Sequence, residues 1–201
     1  MTPAAVRGAD PYLSIARQRR PGLDELLLAL AAHFRPVDQR HALACLDDYS
    51  RHLFGLAALH ADGQAGCVLH ALRHDIGMRP ADCEDPDHLM LDRVLDRRRG
   101  HPLLLAAIAV ELARRAGVSA CVCSSPERWF AAFGDEQVVL AELPGGAHGG
   151  AAPPVVQRHC THEVGIGVLS RLCHAYDARA RPREAGQAAE LLRVLSSRPE
   201  P

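Results

Sequence analysis

The sequence predicts an α+β chain: an N-terminal helical subdomain, a core in which one central helix packs on a small antiparallel sheet, and a C-terminal αα-hairpin. Three observations predict it. Only 4% of the residues are aromatic, so the core must be built from Leu, Ala and Val, a composition that favours helices. Apolar residues recur at helical spacing except between 119 and 143, where the period becomes that of short strands. A Gly- and Pro-rich run, 144–154, then separates this stretch from two more helical segments. At 201 residues there is room for one well-buried domain with a helical appendage.

Residues 1–22 are polar, Arg-rich and bounded by Pro, and the first strong helical signal is Leu23 to His33, with Leu23, Leu26, Leu27 and Leu30 on one face. Pro36 stops it. Further helices are expected over Val37 to Phe54 and Gln64 to Asp75, then a loop from Gly77 to Asp87 and a charged segment, Leu89 to Arg99. Pro102 to Arg115 reads as the central helix: Leu104, Ile108 and Leu112 line one face, and Leu103, Ala107 and Val110 the next. Gly117 ends it as a C-cap. Ser119 to Ser124, Arg128 to Phe133 and Gln137 to Leu143 follow as a three-stranded meander. Beyond the linker, Leu169, Leu172, Cys173 and Tyr176 share a helical face. After a turn at Ala178 to Pro182, a last helix carries Ala185, Ala188, Ala189, Leu192 and Leu195. The expected division is 1–22, 23–154 and 155–201.

Composition excludes several functions. The formal charge is −1, which leaves no electrostatic footprint for nucleic acid or an anionic membrane. Every basic residue is Arg, and the chain has neither Lys nor Asn, so a lysine Schiff base, a P-loop lysine and a Cys-His-Asn triad are ruled out. The bias is that of GC-rich coding and points to a bacterial source. No transmembrane or export segment is expected, which makes the cytoplasm the default location. Seven cysteines without C-x-x-C spacing read as free thiols.

The segment Asp85-Pro-Asp-His-Leu-Met-Leu-Asp-Arg-Val-Leu-Asp-Arg-Arg-Arg-Gly-His-Pro-Leu-Leu-Leu, continued by an amphipathic helix to Arg115-Ala-Gly117, resembles the core of the transglutaminase-like superfamily, in its SirB-type branch. His88-Leu89 departs from the Asn-Ser of that branch. The tail from Leu169 to Leu195 is similar to the tetratricopeptide-like hairpin that closes it. The resemblance implies a papain/transglutaminase-like core. In active members of the superfamily a Cys opens the central helix, a His follows on a strand and an Asp on the next. A thiolate is stabilised there by the helix terminus, and the carboxylate orients the imidazole.

Carried onto this chain, the nucleophile position falls on Pro102, the base position on Arg128 and the acid position on Glu142. Pro is favoured in the first helical turn, so Cys to Pro keeps the backbone and removes the chemistry. Arg cannot act as a base at neutral pH, and an ion pair between Arg128 and Glu142 is expected in place of a dyad. The expected function is a non-catalytic interaction or regulatory module for a protein or peptide, with His101, Arg128, Trp129 and Glu142 at the binding surface and no cofactor.

One alternative is a Cys-dependent hydrolase or acyl transferase with Cys121 or Cys123 as a displaced nucleophile and His101 or His148 as base. These two thiols are expected on opposite faces of their strand. A less favoured alternative is a metal site from His159, Cys160 and His162 with His148 or His174, whose spacing matches no standard module. No metal is expected. Arg97-Arg98-Arg99 reads as a solvated face, salt-paired with Asp92 and Asp96.

Overall fold

The computed structural model describes residues 11–126, 128–134, 139–142 (backbone only) and 156–197. Helix α1, Pro11–Ala16, lies in the segment that composition reads as merely polar. Tyr12 is fully buried, and its hydroxyl donates to the Leu191 carbonyl at 3.1 Å. A single aromatic in a polar run gives no periodic signal, and only its docking against the distant C-terminal helix makes it core. Helix α2, Leu23–Phe34, is mostly buried and carries Asp24 and Glu25 in its first turn, where the macrodipole favours acids.

Helix α3, Gln39–Ser50, is shorter than the pattern predicts. Asp38 caps it by accepting the His41 N–H at 3.0 Å, and a 3₁₀ turn over Arg51–Leu53 leaves Phe54 exposed. Helix α4, Ala61–His70, starts early and passes into a π turn at Ala71–Asp75. Helix α5, Leu91–Arg97, ends where Arg98 turns left-handed. Strand β2, Arg99–Gly100, then pairs in parallel with β1, Arg79–Pro80, a ribbon too short to show in the sequence. Gly100 is needed there, because an added Cβ would stand 2.6 Å from both γ carbons of Val94. Of the expected salt-paired face, Arg97 pairs with Asp87, while Asp92 is buried and pairs with Arg35.

Helix α6, Pro102–Arg115, has the predicted bounds and is buried at every position from Leu103 to Ala113. Gly117, at φ +79°, is the expected left-handed stop. Strands β3 (Ala120–Ser125), β4 (Arg128–Phe133) and β5 (Val139–Glu142) form the predicted meander. Strand β6, Gln157–His159, was not expected, and it pairs antiparallel with β3 to give the order β5-β4-β3-β6. Three residues beside a Pro-rich run carry too little pattern to reveal a strand.

Helices α7 (Thr161–Ala178) and α8 (Pro182–Ser196) form the C-terminal hairpin. The buried face of α8 is Ala185, Ala188, Leu191 and Leu195, with Leu192 partly buried against the core as predicted; Leu191 takes the place of the predicted Ala189, which is exposed. One continuous apolar core runs from Tyr12 to Leu195 and includes the hairpin. The helices are also locked by charge: Arg115 bonds Asp24 of α2, Asp47 of α3 and Glu111 one turn back. Asp24 and Glu111 are buried carboxylates. Among the described residues, no helix is long and apolar enough to cross a membrane.

Candidate functional site

The sheet turns two faces to different surroundings. Val122, Ala131 and Phe133 join the core beneath α6, with Ala120 and Trp129 packed against it, whereas Cys121, Cys123, Phe130 and Ala132 form a separate cluster. This corrects the expectation that Cys121 and Cys123 face opposite ways. Residues two apart on a strand share a face, and their sulfurs stand 3.8 Å apart. The same parity divides Arg128 from Trp129. Trp129 pairs with Ser124 on the α6 face, while Arg128 pairs with Ser125 on the other. Arg128 and Trp129 therefore do not line one surface, contrary to expectation. Register sets Glu142 opposite Phe130. Its side chain, and with it the expected ion pair to Arg128, lies outside the described residues, as does His148.

Because β3 runs back along α6, its last residues approach the N-terminal end of that helix, where Ser124, Trp129 and residues of two other elements converge. Ser124 Oγ is 2.7 Å from His159 Nε2 on β6. The His159 ring lies 5.3 Å from the Trp129 ring, centre to centre. From α7, the Arg171 guanidinium covers the Trp129 ring at 5.2 Å and donates to the Gly167 carbonyl at 2.9 Å. Gly167 backs directly on Leu103 in the first turn of α6: an added Cβ would stand 3.2 Å from the Leu103 side chain. Among the described residues no carboxylate pairs with Arg171.

His101 is the N-cap of α6, its Nδ1 accepting the Leu103 N–H at 3.1 Å. That bond commits the Nδ1 lone pair and leaves Nε2–H as a donor. Burial, reinforced by the nearby Arg171 charge, pushes the His101 pKa down from 6.5 to about 4. The imidazole is thus neutral at pH 7 and is placed to cap and donate rather than to take a proton. Pro102 follows as the first helical residue, half-buried. Burial also lowers the pKa of His159.

Among the described residues the thiols of β3 do not meet a base. Burial, with Cys121 alongside, pushes the Cys123 pKa up to about 12, and among the described residues neither Cys121 nor Cys123 bonds to a histidine. Cys121 lines an open cavity of about 880 Å³ near the C-terminal end of α6, with Arg19, Arg20, Glu111 and His162. The less favoured alternative, a metal cluster around Cys160, is not assembled among the described residues either. His159 is engaged with Ser124, His162 Nε2 lies 3.3 Å from the Ala16 carbonyl, and His174 is exposed on α7. Cys160 caps α7 in a capping box with Glu163. Sequence reasoning did not single out Ser124, at the end of a predicted strand, or Arg171, inside the hairpin segment, because only chain packing brings them together.

A buried helix whose N-terminus faces the end of an antiparallel sheet defines a transglutaminase-type core. A family model described as "Transglutaminase-like superfamily" matches residues 24–143, and the chain belongs to that superfamily. Comparison with the curated proteins finds no match. Among solved structures the chain is similar to menin, in a structure described as "Crystal structure of menin reveals the binding site for Mixed Lineage Leukemia (MLL) protein". The TM-score is 0.61 at 12% identity, and the match covers 94% of this chain and 57% of the menin chain. The likeness is one of fold, and this chain spans little more than half of the menin chain.

Proposed function

We propose that the chain is a non-catalytic member of the superfamily, an interaction or regulatory module that holds a protein or peptide at the end of α6. The observation that carries this reading is Pro102 at the first position of the central helix, where the family resemblance puts the nucleophile. The surface consists of His101, Pro102, Trp129 and Arg171; Arg128 belongs to the opposite sheet face. Trp and Arg are the residue types that most often dominate protein contacts, through a large flat face and a multivalent donor. The neutral Nε2–H of His101 adds a second donor for a carbonyl or carboxylate. A shared fold with menin, described as having a binding site for another protein, supports a protein partner. In this reading the chain is a bacterial, cytoplasmic protein of the SirB-type branch, and α7 and α8 are its tetratricopeptide-like hairpin.

A second reading has its own observation, the 2.7 Å contact of Ser124 Oγ with His159 Nε2. A serine bonded to a neutral imidazole is the first half of a nucleophilic site. The described ring contact of His159 is Trp129, and no carboxylate bonds to its imidazole among the described residues. Among the described residues the displaced-cysteine alternative has no comparable contact in the cleft. One experiment separates the readings. Amidase, esterase and acyl-transfer assays on wild type, S124A, C121A and C123A are run beside binding to an array of peptides of varied charge and C-terminus. Peptide binding that W129A and R171Q abolish, without turnover, supports the module; turnover lost in S124A or in a Cys variant overturns it.

A further inference from the structure

Helices α3 and α5 bring together a donor set that includes none of the cleft residues. His41 Nε2 stands 3.2 Å from Asp96 Oδ1 and 3.6 Å from Cys45 Sγ, and the three donor atoms all lie within 4.8 Å of one another. Two chemistries use Cys, His and Asp together, and the geometry separates them. A nucleophile–base–orienter relay needs the thiol on one ring nitrogen and the carboxylate on the other. Here both contacts fall on the same Nε2. The arrangement instead gathers three donor atoms in one place, as a metal site does.

We infer that His41, Cys45 and Asp96 form a three-donor site for a divalent transition metal of borderline softness, zinc being the natural occupant of an N, S, O set. The two separations that involve His41 are close to what that ion needs. Donors about 2.0–2.1 Å (N), 2.3 Å (S) and 2.0–2.2 Å (O) from a tetrahedral zinc stand roughly 3.4 to 3.6 Å from one another. The His–Cys separation already has that value, and the His–Asp separation is about 0.2 Å short of it.

The frame is built before any ion arrives. His41 and Cys45 are one helical turn apart on α3, so their side chains share a face. The backbone of His41 is held by Asp38, and Tyr49 of α3 donates to the Leu95 carbonyl at 3.2 Å, next to Asp96. Asp47 is bonded to Arg115, which ties α3 to the central helix. Cys45 is half-buried against the core, while the His41 and Asp96 side chains are 60% and 41% exposed, which leaves an open approach and a fourth position for solvent. Asp48 and Arg98, the other charged groups acting on Cys45, have opposite signs.

The test uses the full chain, purified without a histidine tag and stripped by chelator. Zinc is titrated against a chromophoric competitor, and cobalt(II) reports the ligand set through its thiolate charge-transfer band. The expected result is one equivalent of zinc and a cobalt–thiolate band that C45S removes. H41Q and D96N should weaken zinc binding tenfold or more, with circular dichroism unchanged, and C160S and H162Q should leave both readouts as in wild type. Absence of the band in wild type, its persistence in C45S, or binding that follows Cys160 and His162 would overturn the inference.

Discussion

The Arg171 guanidinium stands 5.2 Å from the centre of the Trp129 ring, and the His159 ring stands 5.3 Å from the same centre. Trp129 is the chain's single tryptophan, so its fluorescence reports on the cleft alone. A protonated imidazole quenches indole more strongly than a neutral one. Burial holds the His159 pKa below 6.5, so emission should fall on acidification with a midpoint below pH 6.5. H159Q should remove the transition. A midpoint at or above 6.5, or a curve unchanged in H159Q, would show that the stacking does not persist in solution.

His101 links stability to pH. Its folded pKa, about 4, lies below the 6.5 of the unfolded chain, so between these values the unfolded state binds more protons. Stability is therefore complete above about pH 6.5 and declines as pH falls toward 4, by at most about 3 kcal/mol from this group. Urea denaturation across pH 4 to 7 measures it. H101N, which keeps a cap without a group that titrates there, should flatten that part of the profile, and H101A should cost about 1 kcal/mol at pH 7 through loss of the cap.

Pro102→Cys puts a thiol back at the start of α6. Helix-terminal N–H groups stabilise a thiolate, so this thiol should react with iodoacetamide at pH 7 faster than exposed Cys67, while buried Cys123 stays unlabelled in the folded protein. Peptide mapping by mass spectrometry gives the rates. Labelling of the introduced thiol no faster than that of Cys67 would mean that the terminus provides no such field.

Arg115→Ala removes the cation shared by Asp24, Asp47 and Glu111. Arg114 also reaches Asp24 and Glu111 but is itself largely exposed. Leaving two buried carboxylates short of their main partner should cost about 3–5 kcal/mol at pH 7. Part of the loss should be recovered in R115A/D24N, as thermal or urea denaturation would show.

Local chemistry in the chain dictates α6 to the residue. Pro102 supplies a fixed φ and no N–H at a position where none is needed, apolar residues surround the helix, and Gly117 supplies the left-handed stop; none of the three needs a distant partner. The meander and the hairpin turn were legible for the same reason. Strand β6, the burial of Tyr12 and the α6 face of Trp129 were not, because each depends on a partner far along the chain. The cleft shows the division most clearly. Pro102 marks its place in the sequence, but Ser124, His159 and Arg171 come from separate elements, and packing alone brings them around Trp129. His41 and Cys45 form a readable i, i+4 pair, yet Asp96, fifty-five residues from His41, becomes their third donor only because α5 lies against α3.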